Sequence, residues 1–212
     1  RGHEFYMRLT AADNERAGEA WRRGLQVYPR SALLGTKLGF YHFMRPYLYF
    51  QAGAAADYAR AGELARRSLA APHLSPLERR LTHWLLAYVS AAEGDYERAR
   101  REVAATMALA PYDAFQRGDL SSILILACAP EEALEMLDGA MAQDPASRPF
   151  YQQLRGWALT VAGRHAESLA ALRESIELPA VPLLTLALLI AAARFARRLA
   201  LPELNRAARV PA

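Results

Sequence analysis

A spacing of 34 residues recurs in the centre of the chain. Ala99 and Pro111 reappear 34 residues later as Ala133 and Pro145, and each pair encloses small and large apolar residues at helical spacing. A fixed period between about 20 and 50 residues indicates stacked structural repeats, in which each repeat contacts only its neighbours. We therefore predict an all-α fold, an α-α superhelix of antiparallel helix pairs with about 10–12 helices.

The same order of small residue, large residue and proline extends the period towards both ends. It predicts a single array over residues 1–212, with repeats at 1–30, 31–73, 75–111, 112–145 and 146–179 and degenerate terminal helices over 181–212. Glycine and proline recur too often for the sustained heptads of a coiled coil. The second repeat is longer than the others, because 22 residues separate Gly39 from Ala61 whereas 12 separate Ala87 from Ala99. About ten residues are inserted there, around 44–53, as an extended first helix or an aromatic-rich loop.

Small residues occupy one position in every predicted second helix, where two antiparallel helices must approach closely. These residues are Ala17, Ala61, Ala99, Ala133 and Ser168, and we expect Ala87, Ser121 and Gly156 to face them from the preceding helices. Large residues follow four positions later, as Trp21, Val103, Leu137 and Leu172. We expect the large side chains to fill the space between neighbouring repeats, and a large residue at Ala133 to overpack the pair.

Charge and cysteine content limit the partners and the compartment. The net charge is +4, and the arginines are interspersed with acidic residues, whereas a nucleic-acid surface needs a one-sided basic stripe. We therefore expect no nucleic-acid partner. Cys128 is the single cysteine, so no intramolecular disulfide can form, which fits a reducing, cytoplasmic location. Its apolar surroundings in the sequence predict a buried small residue.

Motifs for catalysis are missing from the sequence. It contains no phosphate-binding glycine loop, no metal-ligand cluster and no nucleophile elbow. The five histidines are scattered, with no pair at metal-ligand spacing on one helix. We therefore expect a protein that is not an enzyme and that holds no cofactor and no metal.

In a repeat array the first helix of each pair lines the inner wall. The residues of these helices that helical periodicity places on that side form a candidate binding face. This predicted peptide-binding face comprises Thr36, Phe40, Phe43, Trp84, Tyr88, Phe115, Ser122, Gln153 and Trp157. Aromatic side chains with a few polar groups suit an apolar or helical peptide. The alternative is that several of these aromatic residues are buried between repeats.

The C-terminal part contains an apolar run without a polar face. No charge lies between Glu177 and Arg194, and the run is too short and too interrupted by proline to span a membrane. A terminal repeat normally carries a polar outer face. We therefore predict a homodimer interface at Leu183, Leu186, Leu189, Ile190 and Phe195. The alternative is internal capping by the segment from Leu199 to Val210.

The repeats over nearly the whole chain resemble tetratricopeptide (TPR) repeats. The N-terminal residues, from Phe5-Tyr6 through Asp13-Asn14 to Ala17–Pro29, resemble the start of TPR regions in bacterial proteins. Such regions follow a class III adenylate cyclase catalytic domain or a winged-helix DNA-binding domain. The resemblance implies a non-catalytic regulatory or protein-interaction segment, a fragment of a larger signalling protein. It does not imply cyclase activity, because the metal-binding aspartate and the nucleotide motifs are absent.

Two further functions compete with the protein-interaction reading. An RNA-binding helical-repeat array would need polar base-reading residues at fixed positions in successive repeats, whereas the predicted face is aromatic and irregular. The TPR proteins that bind chaperone tails hold the carboxylate of the tail with lysine and asparagine on the inner wall of the array. The residues predicted for the inner wall of this chain include neither lysine nor asparagine. An enzyme with an unrecognised active site is the remaining reading.

Overall fold

A computed structural model describes residues 2–8 and 10–175 of the chain. The chain divides between Pro111 and Tyr112 into two compact units, the N-terminal unit and the C-terminal unit. Among the described residues the secondary structure consists of ten α-helices and one 3-10 turn, with no β-strand. The predicted all-α fold is confirmed. The prediction of one array over 1–212 stays a prediction.

The N-terminal unit contains six helices. They are α1 Gly2–Tyr6, α2 Ala11–Val27, α3 Ala32–Tyr47, α4 Ala54–Leu69, α5 Pro76–Ala92 and α6 Tyr96–Leu109. Each odd-numbered helix packs against the helix that follows it, and α3 also contacts α5. The unit is therefore built from three helix pairs, at the places where the sequence period predicts them.

The C-terminal unit contains four described helices. They are α7 Ala114–Leu126, α8 Pro130–Gln143, α9 Arg148–Val161 and α10 His165–Ser175, with a 3-10 turn at Pro145–Ser147 before α9. Helix α7 packs against α8 and α9, and α9 packs against α10. The described part of α10 ends at Ser175, so the predicted end of that helix lies outside the described residues.

Polar side chains fix the starts of several helices. Ser75 accepts a hydrogen bond from the backbone N–H of Glu78, whose carboxylate accepts one from the Ser75 N–H, and together they form a capping box. Ser31, Asp95 and Asp113 cap α3, α6 and α7 with a side-chain oxygen. Each cap satisfies a backbone donor that the first turn of a helix leaves unpaired. The helix starts therefore follow from local sequence.

The predicted small residues are buried, and one of the predicted pairings, Gly156 with Ser168, is in contact. Ala17, Ala61, Ala99, Ala133 and Ser168 are all 0% exposed, and Leu137 and Leu172 are 0% exposed as well. In the C-terminal unit a Cβ added to Gly156 would clash with the side chain of Leu172. The Ser168 hydroxyl donates a hydrogen bond of 2.7 Å to the Gly156 carbonyl, which holds α9 and α10 together at this point.

The inserted residues of the second repeat are shared among three places. Eight residues of α3 follow Gly39, whereas five residues of α5 follow the corresponding Ala87. The connecting loop and the start of α4 are also longer than their counterparts before α6. Both predicted forms of the insertion, a longer first helix and a loop, are therefore present. The lengthened start of α4 is a third component that the sequence pattern did not indicate.

Cys128 is exposed, so the prediction of a buried cysteine is wrong. It lies in the turn between α7 and α8 with φ of 54°, where the other turns have Gly94 and Gly163 with φ of 80° and 75°. All three residues donate their N–H to a carbonyl three residues earlier. The apolar run before Cys128 ends at the helix terminus, and the turn then carries its side chain out of the core.

Candidate functional site

The predicted peptide-binding face is more deeply buried than its helical phase suggests. Five of its residues are buried between helices, with exposed fractions of 0% for Thr36, 1% for Phe43, 2% for Ser122, 5% for Tyr88 and 9% for Phe40. Trp84, Gln153 and Trp157 are half-buried, and Phe115 is 48% exposed. Only the last four reach the surface of their own units, because the others pack against neighbouring helices.

In the N-terminal unit, aromatic rings join three successive first helices. The Phe40 ring on α3 lies 6.4 Å from the Tyr6 ring on α1 and 5.7 Å from the Trp84 ring on α5. Rings at such distances attract each other in tilted or edge-to-face arrangements. The Thr36 and Thr82 hydroxyls form a buried hydrogen bond of 2.8 Å between α3 and α5. These buried contacts fix the spacing between α3 and α5, and Trp84 lies on α5.

The aromatic residues beside the insertion form an internal cluster. The Phe43 ring has its centroid 5.0 Å from that of Tyr47, 5.2 Å from that of Tyr58 and 5.0 Å from that of Tyr88. Tyr58 is on α4, so the cluster ties three helices together. These ring contacts stabilise the lengthened helix ends, with Phe43 and Tyr88 buried and Tyr47 and Tyr58 half-buried. Phe50 in the connecting loop, by contrast, is 67% exposed.

A polar network closes the same end of the repeat. The buried Asp57 carboxylate on α4 lies 2.8 Å from His42 Nδ1 and 3.3 Å from an Arg45 nitrogen, both on α3. Arg45 also donates a 2.7 Å hydrogen bond to Gln51 in the connecting loop. Burial lowers the pKa of His42, although its hydrogen bond to Asp57 acts in the opposite direction. The network holds the insertion in place, because its polar and charged groups form hydrogen bonds with one another.

An open cleft lies between α1, α2 and α3 in the N-terminal unit. Its volume is about 640 Å³, and Trp21, Leu34 and Lys37 are among the residues that line it. The Lys37 ammonium lies 5.9 Å from the centroid of the Trp21 ring, and burial lowers the pKa of Lys37. The cleft contains none of the predicted site residues. The one sequence feature that points to it is that Lys37 is the only lysine in the chain.

In the C-terminal unit, the exposed Phe115 on α7 and the half-buried Phe150 on α9 are in contact. The Phe115 ring stacks on the Phe150 ring with centroids 5.4 Å apart and planes 19° from parallel. Trp157, two turns further along α9, packs against two apolar clusters of this unit. Phe150 is not part of the predicted face, although it follows Phe115 by 35 residues, the same distance that separates Ser168 from the equivalent Ala133.

Several predictions fall on residues outside those described. The predicted dimer interface, Leu183, Leu186, Leu189, Ile190 and Phe195, belongs to this group. Within residues 2–8 and 10–175, no group of three or more histidine, cysteine, aspartate and glutamate side chains could hold a metal ion. None of the helices in the described part of the chain has both the length and the apolar character needed to cross a membrane.

Two solved structures resemble this chain in the arrangement of their helices. The crystal structure of YrrB, described as a TPR protein with an unusual peptide-binding site, matches 83% of this chain and 83% of its own with a TM-score of 0.52 and 16% identity. This chain has the tetratricopeptide fold. A crystal structure of MamA matches 83% of this chain and 92% of its own, again with a TM-score of 0.52 and 16% identity. No protein-family model and no curated protein sequence matches the chain.

Proposed function

We propose that the chain is a non-catalytic protein-interaction module, which binds peptide segments of a partner on the exposed aromatic residues of its first helices. The observation that carries the proposal is the stacked pair Phe115 and Phe150, of which Phe115 is 48% exposed on the first turn of α7. Large exposed rings held in a fixed geometry mark association surfaces, because they bury much apolar area at little entropic cost.

The residues proposed for contact are fewer than those predicted from the sequence, and they are named for each unit separately. Trp84 in the N-terminal unit and Phe115, Gln153 and Trp157 in the C-terminal unit are the candidates for direct contact, because their side chains reach the surface. The buried members of the predicted face support them from behind. Phe40, for example, contacts the Trp84 ring. Binding energy in such interfaces is concentrated in a few aromatic anchors.

The proposed biological setting is a regulatory segment of a larger signalling protein. Its support is the sequence resemblance of the N-terminal residues to TPR regions that follow a class III adenylate cyclase domain or a winged-helix DNA-binding domain. In that setting the partner is either another domain of the same protein or a separate signalling protein. Such a module carries out no reaction itself, and the proposal includes no cofactor.

The test begins with peptides selected from a random display library against the purified chain. Binding of one selected, fluorescein-labelled peptide is then measured by fluorescence anisotropy for the chain and for Phe115→Ala. We expect the dissociation constant to rise about tenfold or more, because the exposed ring of an aromatic anchor is removed. The matched control is Tyr112→Ala, since Tyr112 is 87% exposed and precedes α7 by two residues.

Two results would contradict the proposal. One is an unchanged affinity for Phe115→Ala in a protein that keeps its helical circular dichroism. The other is a failure of the library to yield any peptide while single-stranded RNA binds and Phe115→Ala weakens that binding, since aromatic rings also stack on bases. The second result would favour the RNA-binding reading.

A further inference from the structure

Two carboxylates lie close to the stacked rings of Phe115 and Phe150. The Phe150 ring also contacts the ring of Tyr151, with centroids 5.5 Å apart, and the Tyr151 hydroxyl donates a hydrogen bond of 3.1 Å to Asp144. Asp113 immediately precedes α7 and caps it with a side-chain oxygen. Burial and the nearby charges of Asp144 and Asp113 raise the pKa of Tyr151 to about 12. The starts of α7 and α9 therefore bring together two rings and two negative charges.

The Asp144 carboxylate is available to a cationic ligand. It is half-buried, and within the described part of the chain it has no arginine, lysine or histidine partner. The groups that donate hydrogen bonds to it are neutral, among them the Ser147 backbone N–H at 3.4 Å and the Tyr151 hydroxyl. Hydrogen bonds from Ser147 and Tyr151 lower the pKa of Asp144, so this carboxylate is ionised at neutral pH. An incoming cation can therefore form a charge-assisted hydrogen bond with it.

The arginines nearest to the two rings in the sequence are directed elsewhere. Arg148 Nε lies 3.1 Å from a carboxylate oxygen of Glu174 on α10, and the Arg117 guanidinium lies beside Gly139 on α8. The described part of this unit, residues 112–175, contains nine acidic residues and five arginines, a net charge of −4. The N-terminal unit, by contrast, contains eleven acidic and sixteen basic residues, a net charge of +5. Because a field of one sign attracts ligands of the other, the charge around the rings favours a basic partner.

The Phe115 ring supplies a second contact for such a partner. It is 48% exposed, and its stacking on Phe150 holds the exposed ring in place. The face of an aromatic ring attracts a cation, and the planar guanidinium of arginine also stacks on it. The apolar stem of the arginine side chain covers further apolar surface at the same time. An arginine of a peptide therefore gains both electrostatic attraction and contact area at Phe115.

We infer that the peptide bound at Phe115 is basic, with one arginine stacked on the exposed ring and a second paired with Asp144. The inference rests on the proposed function as a peptide-binding module, and it gives the ligand of that site a charge and a residue type. Single-stranded RNA also stacks on aromatic rings, but Asp113 and Asp144 would repel its phosphates.

The experiment compares three fluorescein-labelled peptides by fluorescence anisotropy with the full chain. The peptides have the same length and the same leucine and glycine positions, and the remaining positions carry arginine, citrulline or glutamate. Citrulline has nearly the shape of arginine but no charge. We expect the arginine peptide to bind at least about tenfold more tightly than the citrulline peptide, and the glutamate peptide to bind most weakly.

Three variants locate the charge preference. Asp144→Asn removes the negative charge and keeps a side-chain oxygen for the hydrogen bond from Tyr151, whereas Phe115→Leu removes the ring and keeps an apolar side chain. Each is expected to reduce the ratio of the arginine and citrulline affinities at least about threefold. The control Glu135→Gln removes an exposed negative charge from α8 of the same unit and is expected to leave the ratio unchanged.

Several results would overturn the inference. Equal affinities for the arginine and citrulline peptides, a tighter glutamate peptide, or no binding of any of the three would each do so. The same holds for a ratio that Asp144→Asn or Phe115→Leu leaves unchanged in a protein that keeps its helical circular dichroism. Asp113→Asn, at the other carboxylate, replaces a variant that does not keep its fold. Binding of single-stranded RNA that Phe115→Ala weakens would also overturn the inference.

Failure of this inference is distinguishable from failure of the proposed function. A library-selected peptide without basic residues that loses affinity for Phe115→Ala would overturn the basic ligand and leave the proposed function standing. An unchanged affinity of the selected peptide for Phe115→Ala would instead contradict the proposed function itself.

Discussion

At the residue scale, one position of the repeat requires a left-handed backbone. Gly94, Cys128 and Gly163 occupy equivalent turns with positive φ, and cysteine is the only one of the three with a side chain. A residue with a Cβ costs about 1–2 kcal/mol in this conformation relative to the right-handed one. Replacing the residue by glycine relieves this strain, but about half of the stabilisation is lost because glycine gives the unfolded chain more conformational freedom. Cys128→Gly is therefore expected to raise the free energy of unfolding by about 0.5–1 kcal/mol.

The measurement is chemical denaturation followed by circular dichroism. Gly163→Ala is the matched opposite change, because it introduces a Cβ at φ of 75° where nothing lies within 4 Å of the added atom. We expect it to lower the free energy of unfolding by about 0.5–1 kcal/mol, because the backbone strain exceeds the stabilisation that alanine brings by restricting the unfolded chain. If Cys128→Gly were neutral or destabilising, the turn between α7 and α8 would not be strained in the way its φ implies.

At the scale of a helix pair, the small residues at the contact limit how close two helices can be. Ala133 on α8 is 0% exposed and belongs to the apolar cluster that includes Leu124 and Ala158. Ala133→Leu is expected to cost about 1–3 kcal/mol of unfolding free energy, because three further carbon atoms must enter a filled space. Ala142→Leu, at an exposed position of the same helix, is expected to change it by less than about 0.5 kcal/mol. Equal costs in denaturant titrations would refute close packing at Ala133.

Sequence and structure agree at this scale where a constraint repeats. The helix pairs and the buried small residues could be predicted because every repeat needs the same close contact, so the requirement recurs along the chain. The burial of Phe43 and Tyr88 could not be predicted in the same way. Helical phase places a residue on one side of a helix, but a first helix contacts its neighbours over much of its circumference. The depth of each ring depends on the neighbouring side chains, which do not repeat.

The insertion and the cleft were harder to predict for a related reason. The polar network of His42, Arg45 and Asp57 depends on two lengthened helix ends that occur once in the described chain. A single occurrence leaves no period to detect. The lining of the cleft likewise combines residues from three helices, and only the rarity of Lys37 in the sequence hints at it.

At the scale of the whole molecule, the predicted homodimer is the property to test. Its interface residues, 183–195, lie outside the described residues, and the prediction rests on their apolar sequence. We expect sedimentation velocity at micromolar concentrations to give a dimer, and Leu186→Glu with Ile190→Glu to give a monomer, because charges in an apolar interface are costly to bury.

Val161→Glu is the control for this prediction. It places the same charge at a position on α9 that is 43% exposed, and it should leave the dimer intact. A wild-type monomer, or a dimer that persists in the folded double variant, would favour internal capping of the apolar run instead.

The contacts that close each pair also bear on how the chain folds during synthesis. In the last described pair, the Thr160 and Ser168 hydroxyls are hydrogen-bonded over 2.7 Å, although only eight residues separate them along the chain. Contacts over such short separations close loops at small entropic cost, so they form early and rapidly. A pair of about 30 residues can then close as soon as it leaves the ribosome, ahead of the residues still being translated. Within each unit, the apolar faces of one pair would thus be covered by the next in the order of synthesis, which shortens the time for which they are open to aggregation.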